Sequence, residues 1–183
     1  MKEENPWTTI HSTDIYQNDW IKVREDKILN PIGKKGIYGV VSFVNYAIGI
    51  IPIDTDLNTY LVGQYRYPLN CYSWEIPMGG GLKNIPPIES AKRELKEETG
   101  LEAKEWENIM TIHTSNSVTD ETGYIFIAKN LTEGEAMPEE TEVLKVKKIS
   151  LQEAFEMVMR NEITDSLSIA GILKAYYLIF QLK

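Results

Sequence analysis

Residues 79–101 constrain the fold more than any other stretch, because they join a glycine triplet to a helix signal. Pro87 suits the first turn of a helix, and Gly100 suits the left-handed residue that follows the last turn. Apolar residues recur between them at helical spacing, at Ile88, Ala91 and Leu95. The stretch therefore predicts a glycine-rich loop that leads into one helix with a single core-facing side.

Three carboxylates, those of Glu94, Glu97 and Glu98, fall on one arc beside that apolar side. Glu94 and Glu98 are four residues apart, a like-charge spacing that costs roughly 0.2–0.5 kcal/mol on an isolated helix. Neither has a Lys or Arg four residues further on, whereas Arg93 precedes Glu97 at a complementary spacing. The arc is either a solvated acidic surface or a set of oxygen ligands for a divalent cation such as Mg2+. The spacing alone leaves both interpretations open.

The order of residues across the whole stretch resembles the Nudix box, G-x5-E-x7-R-E-U-x-E-E-x-G-U with U aliphatic. The chain matches this pattern at Gly79 and throughout residues 93–101. It departs at one position, where Ile85 replaces a Glu and Pro86 follows. In the family this Glu supports the loop and the start of the helix. The departure therefore concerns loop rigidity and rate more than metal binding.

The resemblance implies a Nudix-type α/β/α sandwich with a mixed central sheet and a metal site on its box helix. Glu94 and Glu98 would be metal ligands, and Glu97 would be a third ligand and a catalytic carboxylate. The backbone carbonyl just before the first box glycine, that of Met78, would be a further ligand. The implied cofactor is Mg2+, with Mn2+ as an alternative.

The resemblance extends from about residue 20 to the end of the chain and indicates one branch, the ADP-ribose pyrophosphatases and nucleoside-diphosphate-sugar hydrolases. The resemblance to this branch rests on residues 64–68, QYRYP, and residues 74–77, WEIP. In that branch Arg66 would contact the diphosphate, because a planar guanidinium binds phosphate through two hydrogen bonds. Glu75 would contact the sugar or a neighbouring loop. The alternatives are a surface ion pair for Arg66 and an ordinary sheet-edge carboxylate for Glu75.

The catalytic base of this branch lies on a late loop, which corresponds here to the acidic residues 135–142. By resemblance Glu142 is the first candidate for the base and Glu140 the second. Taken alone, an acidic loop is more often a solvated surface. Opposite a metal cluster it could deliver a carboxylate to the attacking water.

Residues 1–36 are interpreted as an N-terminal β arm and residues 37–183 as the Nudix domain. Members of this branch are commonly homodimers that exchange N-terminal strands, so the arm is the expected dimerisation element. Trp20 and Tyr38 resemble an aromatic pair that stacks on the nucleobase, an interaction worth about 1–3 kcal/mol per base. Both could equally be ordinary strand aromatics.

Residue type and hydrophobic periodicity predict the strands, and capping residues predict two further helices. Eight strands are predicted, at residues 8–10, 20–28, 37–44, 47–53, 59–67, 106–113, 123–128 and 143–149. Ser150 with Glu153 forms a capping box that opens a helix to about residue 159, and Asp165 or Ser166 caps a final helix.

The net charge of -8 argues against non-specific nucleic-acid binding, which needs a basic surface. No signal core and no apolar run of membrane-spanning length is apparent, so no membrane association is expected. The single Cys71 excludes an intrachain disulfide and is consistent with a reducing cytoplasm. His11 and His113 are expected to be structural or exposed, because Mg2+ prefers oxygen ligands.

The expected activity is hydrolysis of the diphosphate in ADP-ribose or another nucleoside diphosphate sugar, giving a nucleoside monophosphate and a sugar phosphate. Two alternatives remain at this point. One is a Nudix domain with weakened catalytic activity that senses nucleotide sugars. This alternative is suggested by Ile85 and Pro86, where the chain departs from the box. The other is a nucleoside triphosphate pyrophosphatase, against which the 64–68 and 74–77 segments argue.

Overall fold

The structure, a computed structural model, describes residues 4–136 and 144–181. The chain divides into two compact units. Unit 1 comprises Met1–Asn45 with His113–Glu121, and unit 2 comprises Tyr46–Ile112 with Thr122–Lys183. The sequence places the end of the arm at residue 36, whereas unit 1 also includes the next strand and a distant loop.

Unit 1 is built on a three-stranded antiparallel sheet of β1 (Thr8–Gln17), β2 (Ile21–Leu29) and β3 (Lys35–Phe43), in that order. Every residue of β1 is exposed. The β1–β2 turn is held by the Asn18 side chain, whose Oδ1 accepts hydrogen bonds from the backbone N–H groups of Trp20 and Ile21 at 2.9 and 2.8 Å. An Asx-type bond of this kind fixes a tight turn without help from neighbouring elements.

The described residues of unit 2 form two sheets and three helices. Its strands are β4 (Asn45–Pro52), β5 (Asn58–Arg66), β6 (Cys71–Glu75), β7 (Met78–Leu82), β8 (Leu101–Ile112), β9 (Gly123–Glu133) and β10 (Lys145–Ser150). Its helices are α1 (Pro87–Thr99), α2 (Leu151–Met159) and α3 (Ser166–Phe180). One sheet has the order β7-β4-β9-β8, and the other has the order β10-β5-β6. Because β4 and β9 are parallel whereas β8 and β9 are antiparallel, the four-stranded sheet is mixed.

The central strands β4 and β9 are buried on both faces, and successive residues alternate between two cores. Ile50 and Phe126 pack in the cluster that includes Ala91 and Leu95 of α1. Their neighbours in the chain pack instead in the cluster that includes residues of α2 and α3; these neighbours are Ile51, Ile125 and Ile127. Alternation at a period of two thus places α1 on one side of the sheet and α2 and α3 on the other. The predicted α/β/α sandwich is confirmed.

The helix ends follow the sequence signals. Helix α1 begins at Pro87 and ends before Gly100, whose φ of 74° is left-handed. Ser150 Oγ accepts a hydrogen bond from the backbone N–H of Glu153 at 3.0 Å, so the predicted cap of α2 is present. Asp165 caps α3 by accepting from the backbone N–H of Ser168 at 2.8 Å.

The glycine triplet differs from the prediction. Residues 78–82 form β7 rather than a loop, and this strand lies at one edge of the four-stranded sheet, hydrogen-bonded to β4. A Cβ at Gly81 would lie 2.8 Å from the Ile48 side chain and 3.3 Å from Ser90 Oγ. Glycine is therefore required here by close packing between a strand and its neighbours rather than by a turn.

None of the helices in the described parts of the chain is long and apolar enough to cross a membrane.

Candidate active site

The centre of the site is the contact between the middle of α1 and the start of β7. Glu94 and Glu98 are the carboxylates of α1 that are buried there, at 8% and 4% exposure. A Cβ at Gly79 would overlap the Glu94 carboxylate, so this carboxylate lies directly against the Gly79 backbone. Because Gly79 has no Cβ, the Glu94 carboxylate can occupy this position in the site.

Glu98 contacts the same piece of backbone from one turn further along α1. Its Oε2 accepts a hydrogen bond from the backbone N–H of Met78 at 2.9 Å. The side chains of Glu94 and Glu98 therefore converge on consecutive residues, Gly79 and Met78. The structure thus brings two of the implied ligands, Glu94 and Glu98, to the Met78–Gly79 backbone, where Glu98 contacts the N–H of Met78.

Glu97 is oriented differently and is half-buried. The Arg93 guanidinium lies between Glu97 and Glu94 and donates hydrogen bonds to both, and its Nη2 also donates to the Gly80 carbonyl at 2.9 Å. Burial alone would lower the pKa of Arg93, but the attraction of Glu94 and Glu97 raises it above its usual value. Arg93 therefore stays charged and offsets the repulsion between the carboxylates. The sequence argument assigned no site role to Arg93, although its box position was a signal.

Arg66 and Glu75, both predicted to bind substrate, form an ion pair between β5 and β6. Arg66 Nε donates to Glu75 Oε1 and Oε2 at 3.0 and 3.1 Å, and Nη2 donates to Oε2. Glu75 is only 3% exposed, whereas about a third of the Arg66 side chain faces solvent. The hydrogen bonds to Glu75 raise the pKa of Arg66 despite its partial burial, and Asp165 and Glu98 add to the effect.

The same ion pair leaves donors for a ligand. Nη1 of Arg66 makes no hydrogen bond to any residue in the described parts of the chain. The negative charge of Glu98, a carboxylate of the α1–β7 contact, is one of the causes that raise the pKa of Arg66. The guanidinium is thus anchored on one side by Glu75 and available on the other, which is the arrangement that phosphate binding requires.

Trp20 and Tyr38 are not brought together within unit 1. Ile21, the residue after Trp20, pairs with Phe43 at one end of the β2–β3 ladder, whereas Tyr38 pairs with Asp26. Ile21 and Asp26 are five residues apart on β2, a distance of about 17 Å. Trp20 is 68% exposed. Tyr38 packs edge-on against Trp7, with ring centroids 5.6 Å apart, and donates to the Ser117 carbonyl at 2.6 Å. The two residues do not form one stacking pair inside this unit.

Glu140 and Glu142, the candidate bases, lie outside the described residues. His11 and His113 are both exposed, as the sequence predicted. A cavity of about 750 Å³ elsewhere in unit 2 includes none of the predicted site residues, and its lining comes from the Asp54, Lys104 and Leu178 regions.

The Glu94 and Glu98 side chains offer the oxygen atoms that a divalent ion such as Mg2+ takes as ligands. Within residues 4–136 and 144–181, no three Asp, Glu, His or Cys side chains form a complete metal cluster on their own. The buried Glu94 and Glu98 carboxylates nevertheless converge on the Met78–Gly79 backbone. The Glu94 carboxylate occupies space that only a glycine at position 79 leaves open. The carboxylate oxygens of Glu94 and Glu98 suit a hard ion that keeps several waters and bridges to substrate phosphates. The residues fit such an ion.

Comparison with known proteins identifies the family. Residues 45–167 match the model of the NUDIX domain, and residues 7–41 match that of the nucleoside diphosphate sugar hydrolase N-terminal domain. The chain therefore belongs to the Nudix family of pyrophosphohydrolases. The family resemblance read from residues 79–101 is confirmed.

Within the family, the chain is similar to several characterised proteins. It is 31% identical to the ADP-ribose pyrophosphatase of Mycobacterium tuberculosis, over 94% of this chain and 84% of the relative. It is 30% identical to the ADP-ribose pyrophosphatase of Bacillus subtilis, over 86% of each chain. It is also 30% identical to the methanol dehydrogenase activator of Bacillus methanolicus, over 90% of this chain and 89% of the relative.

A solved structure, described as the crystal structure of ADP compounds hydrolase, superposes with a TM-score of 0.86. The superposition covers 98% of this chain and 97% of that one, at 18% identity. The likeness supports the fold.

Proposed function

We propose that this Nudix pyrophosphohydrolase cleaves the diphosphate of ADP-ribose or a related nucleoside diphosphate sugar, giving a nucleoside monophosphate and a sugar phosphate. The observation that carries the proposal is the convergence of buried Glu94 and Glu98 on the Met78–Gly79 backbone. The match of residues 7–41 to a nucleoside diphosphate sugar hydrolase domain supports the substrate class. So do the two relatives named ADP-ribose pyrophosphatase.

In the proposed mechanism, Glu94, Glu98 and the Met78 carbonyl would hold the divalent ion, with Glu97, now paired with Arg93, as a further candidate ligand. The bound ion, Mg2+ or Mn2+, would neutralise the charge of the diphosphate and activate water for attack on phosphorus. Arg66 binds a phosphoryl oxygen through its Nη1 donors while Glu75 fixes the orientation of the guanidinium.

The remaining tasks are proton transfer and positioning of the carboxylates. A Glu of the 135–142 segment accepts the proton of the attacking water, with Glu142 as the first candidate and Glu140 as the second. Arg93 pairs with both Glu94 and Glu97 and so offsets their mutual repulsion. Each role belongs to a named group and can be tested one substitution at a time.

The central test is Glu98→Gln, which keeps the size and the hydrogen-bond acceptor of the side chain but removes its charge. We expect turnover of ADP-ribose with Mg2+ to fall at least a hundredfold, because the ion loses a charged ligand. The matched control is Glu89→Gln on the same helix, whose exposed carboxylate pairs with Lys92. The control should retain wild-type turnover, measured as phosphate released by a phosphatase that acts on the products.

The screen should include ADP-ribose, GDP-mannose, UDP-glucose and nucleoside triphosphates, with Mg2+ or Mn2+. Full activity in Glu98→Gln would overturn the assignment of the ion ligands. Binding of ADP-ribose without products would favour a sensor, and a preference for triphosphates would favour a nucleoside triphosphate pyrophosphatase.

Assembly and location complete the proposal. Unit 1 would mediate a homodimer, because large apolar side chains of its strands and turns are exposed, among them Ile10, Ile15, Trp20 and Ile37. The protein would act in the cytoplasm, for which the single cysteine is the argument.

A further inference from the structure

The cavity of about 750 Å³ in unit 2 contains none of the residues that have a role in the proposed mechanism. It is enclosed by the β4–β5 turn, by the start of β8 with the end of β9, and by the last turn of α3. Its volume lies within the range of about 300–1,000 Å³ that is typical of small-molecule sites. The cavity is therefore large enough for a ligand of its own.

Leu57, in the β4–β5 turn, adds an apolar side chain to the cavity wall from an unusual backbone conformation. Its φ is 60°, in the left-handed region that branched side chains rarely adopt. The other described non-glycine residues with positive φ are all asparagines, Asn70, Asn130 and Asn161. Asparagine or glycine would fit this turn at lower cost, so the leucine is better explained by the wall that its side chain provides.

The two carboxylates of the lining already have partners within the protein. Asp54 is bound by Lys148 Nζ at 2.7 Å, and Glu105 accepts a hydrogen bond from Asn130 Nδ2 at 2.6 Å. Burial alone would raise the pKa of Asp54, but hydrogen bonds from Lys148 and Asn58 lower it to about 2. Neither carboxylate needs a ligand to supply a donor.

The two lysines of the lining differ from the carboxylates in this respect. The ammonium groups of Lys104 and Lys129 form no ion pair or hydrogen bond with any described residue, although Lys129 lies opposite Glu105 in the β8–β9 ladder. With Lys148 counted, three positive charges stand against two negative ones, in a chain whose net charge is -8. An excess of one positive charge suits a monoanion better than a phosphate group, which carries about -1.5 to -2 at neutral pH.

The apolar part of the lining indicates what the anion would be attached to. Leu178 and Ile179 belong to the last turn of α3, where the free carbonyls carry a partial negative charge. An anionic head group would therefore lie at the lysines, with an apolar body against α3 and Leu57. None of the described lining residues is aromatic, so the cavity offers no ring on which a nucleobase could stack and suits an aliphatic body.

We infer that this cavity binds a small aliphatic carboxylate. The head group contacts Lys104 and Lys129, and the chain packs against Leu57, Leu178 and Ile179. The site is separate from the catalytic one, and the inference does not depend on the substrate proposed above.

The test is calorimetric titration of the whole protein with octanoate, butanoate and inorganic phosphate as probes. Octanoate should bind at least about tenfold more tightly than butanoate, because each buried methylene contributes about fourfold, and more tightly than phosphate. Lys104→Ala and Lys129→Ala should each weaken octanoate about fivefold. The matched control is Lys147→Ala, an exposed lysine of β10 that does not line the cavity, and it should stay within about twofold of the wild type.

Leu57→Asn separates a role in binding from a role in folding. Asparagine tolerates positive φ, so thermal unfolding should occur at or above the temperature of the wild type. Octanoate should nevertheless bind about fivefold more weakly, because the wall loses its apolar side chain.

Unchanged octanoate affinity in Lys129→Ala or in Leu57→Asn would overturn the inference. So would a wild type that binds octanoate no more tightly than butanoate or phosphate. Turnover of ADP-ribose without octanoate should be the same in Lys129→Ala and the wild type, and its loss in the variant would show that the cavity is not a separate site. A wild type that binds octanoate as expected but cleaves no nucleoside diphosphate sugar would reject the proposed function alone.

Discussion

Gly79 has no side chain, and its surroundings show what a methyl group would meet there. A Cβ would overlap the Glu94 carboxylate, whose shift would also disturb the hydrogen bond from Arg93. Glu94 is buried and has little room to relax, because protein interiors are close-packed. A single methyl group therefore bears directly on where the carboxylate can sit.

Gly79→Ala should accordingly lower kcat/KM for ADP-ribose at least tenfold and weaken Mn2+ binding, which can be followed by electron paramagnetic resonance. The fold should persist, because β7 is an edge strand of its sheet. Gly39→Ala is the matched control: Gly39 lies in β3 and a Cβ there meets no atom within 4 Å. Wild-type Mn2+ affinity in Gly79→Ala would contradict the role given to Glu94.

Individual side chains of the site were predictable only in part. The box spacing placed Glu94 and Glu98 correctly on one side of α1, because 3.6 residues per turn fixes neighbours on a helix. Spacing indicated the pair of Arg93 with Glu97 but not the second contact of Arg93 with Glu94. That choice depends on where β7 brings the Gly80 carbonyl, which is a tertiary contact.

At the level of elements, the ends of the helices were the most predictable feature. Caps are local: the Ser150–Glu153 and Asp165–Ser168 bonds join residues three apart, so the sequence contains both partners. The glycine triplet was wrongly predicted as a loop because pairing with β4, a strand far away in sequence, decides its conformation. Strand β1 was predicted to end at residue 10 but ends at Gln17, since a fully exposed strand shows no apolar alternation.

The N-terminus of α3 is tied to the β6–β7 connection by one buried side chain. Ser168 is fully buried, and its Oγ accepts a hydrogen bond from the backbone N–H of Ile76 at 3.0 Å while donating to Asp165 at 2.8 Å. Ile76 follows Glu75 and lies two residues before Met78. The connection between two site residues is thus held by a helix far away in sequence.

Ser168→Ala should lower the free energy of unfolding by about 1–3 kcal/mol, because the buried N–H of Ile76 loses its acceptor. Urea denaturation followed by circular dichroism measures the loss. Ser166→Ala, exposed at the first position of α3, should stay within about 0.5 kcal/mol of the wild type. Equal stability of the two variants would show that Ile76 finds another acceptor.

For the whole molecule, the distribution of exposed apolar side chains bears on assembly. In unit 1 they follow the strands, with Ile10 and Ile15 on β1 at 55% and 61% exposure and Trp20 and Ile37 at 68% and 69%. A strand that is exposed throughout gains little from burial within its own unit. Burial against a second copy would recover about 25 cal/mol for each Å² of apolar surface.

Sedimentation should therefore give a mass of twice 20.9 kDa for the wild type. Ile15→Lys should shift the mass to that of the monomer, because a charge would be buried at the interface without a partner. Met159→Lys provides the matched control, an equally exposed apolar residue at the end of α2 in unit 2. A monomeric wild type at micromolar concentration would exclude the dimer.

The single cysteine has a practical consequence. Cys71 is exposed and pairs with Arg66 in the β5–β6 ladder. A thiol-reactive fluorophore would attach at this one position in the unmodified chain. Its emission would then report ligand arrival at the guanidinium in real time, before any bond is cleaved.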